Sequence, residues 1–420
     1  MAKPKEKKVD DPEKLVVDLV SLLLGAKDFE LEDVTLDAGE LTIEVLPSAV
    51  RVTAPQAVAP PKPITPAPPK VVELARVSFE YPKIDYPSQI CEVQIGATKA
   101  EGGSRGKTFK IGGEASLPFY RFEKIPPFRP IIALDTFDLA PPLARPVKDS
   151  YKDVLEDPAA WAKLCVEKYK ADLASLHLVS TDPGIKNTPA SQSVKLVEDV
   201  LQAVNAPLIV GGSGNPVKDV EVFTKIAEAT AGEKLVFGSV TVDMDIEKIV
   251  KPIVKHGHNL IALAFMDVNQ ARELCRKSLD AGLPKTQLIL DPTTGSLGYG
   301  IEYSYSIFER IRLSALMGED IFQVPLSSAA TNAWVAREAW QKIPSFPESV
   351  VSDWGPRELR GPIWEAVTAL ICMLCGADIF MMMHPLSAEL LRSIADIMSK
   401  SKLQKSLSEI QVENWVKMKV

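Results

Sequence analysis

Between residues 131 and 385 the apolar positions gather into eight short runs, at 131–137, 173–180, 206–210, 234–240, 259–265, 287–290, 321–324 and 377–383. Each run closes on polar or turn-forming residues and is followed by a stretch long enough for a helix. Short apolar runs bounded in this way predict buried parallel strands. Eight strand–helix units in series are the number that closes a (β/α)8 TIM barrel, an α/β fold of about 250 residues. Such a barrel presents its chemistry at the carboxyl ends of its strands, so the residues just after each run are the ones to inspect. The connection after the seventh run, 329–361, is much longer than the others and carries Trp334, Trp340 and Trp354. Three tryptophans argue for an ordered, functional insertion within a barrel spanning 131–401.

The pattern upstream is different. Asp11 and Pro12 supply an N-cap and an N1 proline, and Gly25 supplies a stop, so a helix is expected between them with apolar residues around much of its girth. Alternation over 31–46 predicts a hairpin turning at Asp37 to Gly39. Residues 1–53 thus read as a small α+β docking module with a wide apolar face to bury. Seven prolines follow in residues 54–70, which predict an extended tether of roughly 50 Å at ~3.1 Å per residue. A preface at 71–130 contains a second hairpin, with arms near 92–95 and 108–111. Residues 402–420 form a C-terminal tail.

Composition narrows the functional classes. The net charge is −7 and only a short basic start precedes residue 9, which argues against a nucleic-acid-binding face. No apolar stretch approaches ~18 residues, so no membrane span is expected. A secretory signal is missing from the charged start and the five cysteines are scattered, so a reducing, cytoplasmic setting is expected.

Polar residues fall at or just past the expected strand ends: Asp135, Asp182, Asn215, Asp243, Asp267 and Asp291. Those that precede proline also suit helix caps and turns; together they would surround the barrel mouth. Gly211 to Gly214 would let a ligand approach the backbone. The stretch after Asp291 adds the hydroxyls of Thr293, Thr294 and Ser296 and the rings of Tyr299 and Tyr303, a surface suited to a flat polar ligand or to helix entry. His177 falls within the second strand and reads as a satisfied core residue. His256 and His258 precede the fifth strand, on the stability face, and only His384 sits at a carboxyl end. Cys372 and Cys375 form a CxxC in an apolar helix, which favours core packing over a metal site. The chain shows neither the thiolate set of an iron–sulfur cluster nor the Asp-x-His-x-x-Gly of a base-off corrinoid domain.

Several motifs occur in order: Ile95-Gly-Ala-Thr-Lys-Ala-Glu-Gly-Gly-Ser-Arg-Gly-Lys-Thr, Ile111-Gly-Gly-Glu-Ala-Ser-Leu-Pro-Phe-Tyr, Ile209-Val-Gly-Gly-Ser-Gly-Asn-Pro, Asp291-Pro-Thr-Thr-Gly-Ser-Leu-Gly-Tyr-Gly, Asp353-Trp-Gly-Pro-Arg-Glu-Leu-Arg-Gly-Pro-Ile-Trp-Glu and Phe380-Met-Met-Met-His-Pro. Over about residues 90–390 the chain resembles the small subunit of the corrinoid/iron–sulfur protein, the delta subunit of archaeal acetyl-CoA decarbonylase/synthase. The resemblance implies a heterodimer with a large (gamma) subunit, which carries a [4Fe-4S] cluster and most of the hold on a corrinoid (cobamide). It further implies methyl transfer from a methyl-tetrahydropterin to Co(I), then on to the nickel centre of acetyl-CoA synthase, within a complex that includes CO dehydrogenase subunits. The large subunit would then supply the metal ligands this chain lacks.

Within that frame, the expected corrinoid-facing surface comprises Asn215, Asp291, Thr293, Thr294, Tyr299, Ser327, Ser328, Asn332, Trp354 and His384, with no catalytic or metal-ligating residue on this chain. Two other readings stay open. The barrel could itself bind the methyl-tetrahydropterin, through Asp182, Asn215, Asp243 or Asp291. Alternatively, the subunit could act chiefly as a scaffold hooked into the complex by its N-terminal module.

Overall fold

The structure, a computed structural model, describes residues 83–120, 124–341 and 356–399. The expected N-terminal module, the proline tether, Trp354 and the C-terminal tail lie outside the described residues. Two short antiparallel strands, β1 (Val93–Ile95) and β2 (Phe109–Ile111), come first, paired Val93 to Ile111 and Ile95 to Phe109. Eight parallel strands follow: β3 (Ile131–Phe137), β4 (Leu173–His177), β5 (Leu208–Gly211), β6 (Val236–Val240), β7 (Asn259–Leu263), β8 (Leu288–Asp291), β9 (Leu326–Ala329) and β10 (Ala377–Met382). They close in the order β10-β3-β4-β5-β6-β7-β8-β9. The expected TIM barrel is present.

Period-two alternation sorts the strand residues into two cores. Ile132, Leu134, Leu176, Val210 and Leu260 face outward into the layer between strands and helices. Ile131, Ala133, Leu173, Ile209, Val236, Ile261, Ile289 and Ile379 face the lumen, where they pack with Val93, Ile95 and Ile111 of the hairpin. The β1–β2 hairpin is therefore the plug that closes the amino end of the barrel. Arg105, in its connecting loop, is buried; it donates to the carbonyls of Leu201 (3.0 Å) and Val204 (2.7 Å) and to Glu233 (2.8 Å). A buried guanidinium needs such partners, which accounts for an arginine in the glycine-rich stretch 96–106.

The helices begin where the sequence places caps. Asp157, Asn215, Asp245 and Asp267 each accept a backbone N–H from the first turn of the helix that follows. Gly257 closes the helix Ile246–His256 at φ +77°, a left-handed conformation that suits glycine.

One strand differs from expectation. The apolar run 321–324 is not the seventh barrel strand: residues Asp320–Phe322 form a 3-10 turn, and β9 starts at Leu326. Phe322 and Val324 are buried in the outer core, so the run is apolar because it packs beneath the helices. The strand itself carries Ser327 and Ser328, whose hydroxyls bond within the fold and hide it from an apolar pattern. Pro325, just before β9, contributes only its carbonyl, which accepts from Leu290 N at 2.9 Å.

Candidate functional site at the barrel mouth

Above the apolar floor the lumen turns polar. Asp135 on β3 and His177 at the end of β4 meet through Asp135 Oδ1 and His177 Nε2 at 2.9 Å, and Ser175 Oγ lies 3.1 Å from the same nitrogen. Asp135 is fully buried, and its second oxygen, Oδ2, has no partner. His177 is therefore not the sealed core residue expected: its side chain is 26% exposed and it forms one wall of a cavity. Phe137 stacks on the imidazole at 5.1 Å between ring centres.

That cavity, about 360 Å³, is lined by His177, the glycine-rich turn 211–214, Asp219, Thr241, Asp243 and Phe265 over a floor of Ile209 and Ile261. Gly238 and Ser239 continue the wall. The glycines have local reasons. A Cβ on Gly211 would sit 2.7 Å from His177 Nδ1, and one on Gly212 would collide with the Asp219 carboxylate. That carboxylate folds back onto the turn, accepting from Ser213 N (2.8 Å), Ser213 Oγ (2.9 Å) and Gly214 N (2.8 Å). Burial raises the Asp219 pKa, and the three donors oppose that shift.

Across the lumen, Asp291 accepts from Thr293 N (2.8 Å) and Ser327 Oγ (2.9 Å). Complete burial pushes its pKa up to about 6 despite those donors. Thr294 Oγ1 bonds Ser328 Oγ at 2.8 Å, and Asn332 donates to the Thr294 carbonyl. Asp291, Thr294, Ser327 and Ser328 are all buried, so these groups join β8 to β9 as an internal polar seam. Thr293, at φ +70°, gives its hydroxyl to the Ala264 carbonyl. His384 is buried beside Trp334, with Nδ1 accepting from Leu386 N and Nε2 at 3.3 Å from Ser150 Oγ. Both ring nitrogens are engaged within the fold. Desolvation drops its pKa to about 4.

Among the described residues of the expected surface, then, only Tyr299 is exposed at the mouth, its hydroxyl donating to Glu338 at 3.0 Å. Asn215 and Asp267 are helix caps, and Asp182 accepts from Gly184 N within its own turn. Asp243 is the one ring carboxylate that is both exposed and in the cavity wall.

Sequence reasoning missed Asp219 because it lies eight residues beyond the strand end, in the first turn of the next helix, and its run Val217-Lys-Asp-Val-Glu looks like an ordinary helix face. It also missed Glu365, fully buried at the exit of β10. Glu365 accepts from Met383 N (2.6 Å) and His384 N (3.0 Å), and burial raises its pKa to about 7. The position of Glu365 inside a matched motif was the available signal.

Around this polar centre the strand exits expose apolar side chains: Ile185 after β4, Val217 (80% exposed) after β5, Phe265 (60%) after β7, Tyr299 and Tyr303 after β8, and Val335 (72%) and Trp340 after β9. Among the described residues no group of three or more His, Cys, Asp or Glu is placed to hold a metal ion. Cys372 and Cys375 are buried, and burial lifts both thiols to about 12. No described helix is long and apolar enough to cross a membrane.

These features define a closed (β/α)8 barrel with an open, acceptor-rich cavity and an apolar rim on its carboxyl face. Known proteins place it further. The family model described as CO dehydrogenase/acetyl-CoA synthase delta subunit matches residues 92–345. The acetyl-CoA decarbonylase/synthase complex subunit delta of Archaeoglobus fulgidus is 50% identical over 77% of this chain and 71% of its own length. Those of Methanocaldococcus jannaschii and Methanothermobacter thermautotrophicus are 41% identical over 90% of both chains, and 36% identical over 96% of this chain and 97% of theirs. The chain belongs to the family of delta subunits of the acetyl-CoA decarbonylase/synthase complex. Among solved structures, a dihydropteroate synthase from Xanthomonas albilineans matches 65% of this chain and 94% of its own, at 14% identity and a TM-score of 0.44.

Proposed function

We propose that this subunit covers the corrinoid of a methyl-carrying partner, the large (gamma) corrinoid/iron–sulfur subunit. The methyl group would pass from a methyl-tetrahydropterin to the cobalt and on to the nickel centre of acetyl-CoA synthase. The observation that carries this reading is the apolar rim. Seven large side chains stand exposed at the exits of five strands, on the one face where barrels bind ligands. Exposed apolar side chains gathered on one face mark an interaction surface. Phe265, Tyr299, Tyr303 and Trp340 suit a broad, flat macrocycle that another protein holds by its far side.

The corrinoid, when bound to the partner, supplies a cobalt centre that accepts and releases the methyl group. This chain's residues would exclude water from that centre and hold the partner reversibly. Exclusion matters because a low-valent metal is easily lost to oxidation. Reversibility follows from the composition of the mouth: a narrow apolar rim over the polar groups Asp243, Thr241 and Ser213 forms a contact that can open between two methyl partners. The residues fit the corrinoid as a cover and not as ligands, since the imidazole nearest the β10 exit, His384, has both nitrogens engaged.

The test is a visible spectrum of the chain purified alone and again with its candidate large subunit. Corrinoid and cluster absorbance for the pair, with a colourless lone chain, supports the reading. Stoichiometric corrinoid on the lone chain would overturn the division of labour.

A further inference from the structure

The last barrel strand, β10, ends at Met382, and the helix Pro385–Ser399 begins on a proline. The N–H groups of Met383 and His384 fall between the two elements and belong to neither, so each needs an acceptor from elsewhere. Glu365, fully buried on the helix Arg357–Leu374, supplies both: Met383 N lies 2.6 Å from Oε1 and His384 N 3.0 Å from Oε2. We propose that Glu365 is a proton-sensitive positioning residue, a role that rests on the covering function of the mouth. Ionised, it holds the exits of β9 and β10 in the form that pairs with the partner; on taking up one proton it releases them.

The apolar rim is within reach of this carboxylate. Gly361 lies one turn before Glu365 on the same helix face, and a Cβ there would sit 2.3 Å from the Trp334 ring. The Trp334 indole N–H is buried without a fully formed hydrogen bond, yet it is near enough to Glu365 to favour the charged carboxylate. The next residue, Val335, is exposed in the rim, and Trp340 follows at the end of the helix Arg337–Trp340. From the β3 side, the Tyr151 hydroxyl donates to the Met383 carbonyl at 2.9 Å, so the same short segment is held from two directions.

Ionisation decides whether this arrangement can exist. A carboxylate accepts at both oxygens, and both are used. A carboxylic acid turns one oxygen into a donor that faces an N–H, so one of the two backbone bonds must give way. Ser387 Oγ, which donates to the Pro362 carbonyl at 2.9 Å, also lies beside Glu365 and has lone pairs to accept the new proton. The β10 exit is therefore a two-state element. Burial favours the neutral acid and the surrounding donors favour the anion, which leaves the pKa raised to about 7. The other titratable groups facing Glu365 do not change near that value. Desolvation keeps His384 neutral with a pKa of about 4, and burial lifts the Tyr151 phenol well above its usual range. Ser387 and Trp334, from the two remaining elements, do not titrate.

The experiment labels the full chain with 15N-histidine and follows its four histidine amides from about pH 5.5 to 8.5, with the His384 signal identified by its loss in His384→Gln. Affinity for the large corrinoid-bearing subunit is measured over the same range, for the parent and for Glu365→Gln. The His384 amide should move through one step with a midpoint at about 7, and it should stay still in Glu365→Gln. Pairing of the parent should weaken by about tenfold from pH 8 to pH 6, the limit for one proton at that midpoint. Glu365→Gln, fixed in the neutral form, should pair weakly at both. Asp291 also titrates near this range, but it is common to parent and variant and cancels in the comparison. A His384 amide without a step, or the same pH dependence of pairing in parent and variant, would overturn the proposal. If Glu365→Gln does not fold, the parent's two curves decide, because an amide step with no matching step in pairing overturns it as well. No pairing at any pH, beside an intact amide step, would sink the covering role and leave the proton-dependent hold on the β10 exit standing.

Discussion

Asp291 Oδ2 accepts a hydrogen bond from Ser327 Oγ at 2.9 Å, across the seam between β8 and β9, with the carboxylate fully buried. Burial favours the neutral acid and raises its pKa from 3.8 to about 6. The folded state therefore binds more protons than the unfolded chain between these values, and stability falls as pH rises through that window. Asp291→Asn removes the ionisation and keeps both bonds, since its oxygen can accept from Thr293 N and its amide can donate to Ser327. The variant should match the parent near pH 4. It should exceed the parent above pH 6 by up to about 3 kcal/mol. Urea unfolding across pH 4–8 checks this; parallel curves for the two proteins would count against it.

Arg312 carries a second prediction, about the closed end of the barrel. It is fully buried on the helix Ile301–Leu316, bonds Asp378 Oδ2 at 2.6 Å and reaches Glu114 Oε2 at 3.4 Å. Asp378 Oδ2 also accepts Leu326 N, at the start of β9, at 2.8 Å. Desolvation pushes the Glu114 carboxyl up to about 8. Removing the cation strands two carboxyl groups in the interior, so Arg312→Met should cost roughly 3–5 kcal/mol. A loss below about 1 kcal/mol in chemical denaturation would show that the cluster relaxes or hydrates freely.

How far the sequence showed all this depends on what each residue packs against. The strand 131–137 was legible to the residue because its first four residues are apolar on both faces and a proline precedes it. The seventh strand was not, since its two serines bond inside the fold while a more apolar run beside it packs elsewhere. The helix cap at Asn215 followed from its place before a proline, and this is why that residue looked like a site and serves as structure. The real cavity walls, Asp219 and His177, were hidden for opposite reasons. One sits in a helix whose pattern is ordinary, and the other in a strand where histidine usually means core. Glycines at 211, 212 and 214 were visible as a cluster, but the carboxylate they make room for could not be read without the turn.

Gly212 turns that last point into a prediction. Its Cα faces the Asp219 carboxylate so closely that any side chain would collide with it. Gly212→Ala should therefore displace Asp219, free the N–H groups of Ser213 and Gly214, and cost about 1–3 kcal/mol of stability. The freed donors would restore an anion site, so the variant should gain phosphate binding that the parent lacks. Calorimetric titration with phosphate checks the gain, and an unchanged silent titration would show that Asp219 stays in place.

The rim makes the prediction with the most functional consequence. Phe265 is 60% exposed, and its backbone N–H is held by Gln270 Oε1 at 2.7 Å, so the ring is presented on a fixed turn. Fixed, exposed aromatics are the residues that dominate protein contacts, and truncating one at the centre of an interface costs ~2 kcal/mol or more. Phe265→Asp should then weaken pairing with the corrinoid-bearing subunit by about thirtyfold. It should shift the stability of the free chain by no more than about 0.5 kcal/mol, since the site is at the surface. Val254→Asp, an exposed apolar position on the helix Ile246–His256 away from the strand exits, should leave pairing unchanged. If the Val254 variant disrupts pairing and the Phe265 variant does not, the partner docks on the outer helices, and the covered face is not the barrel mouth.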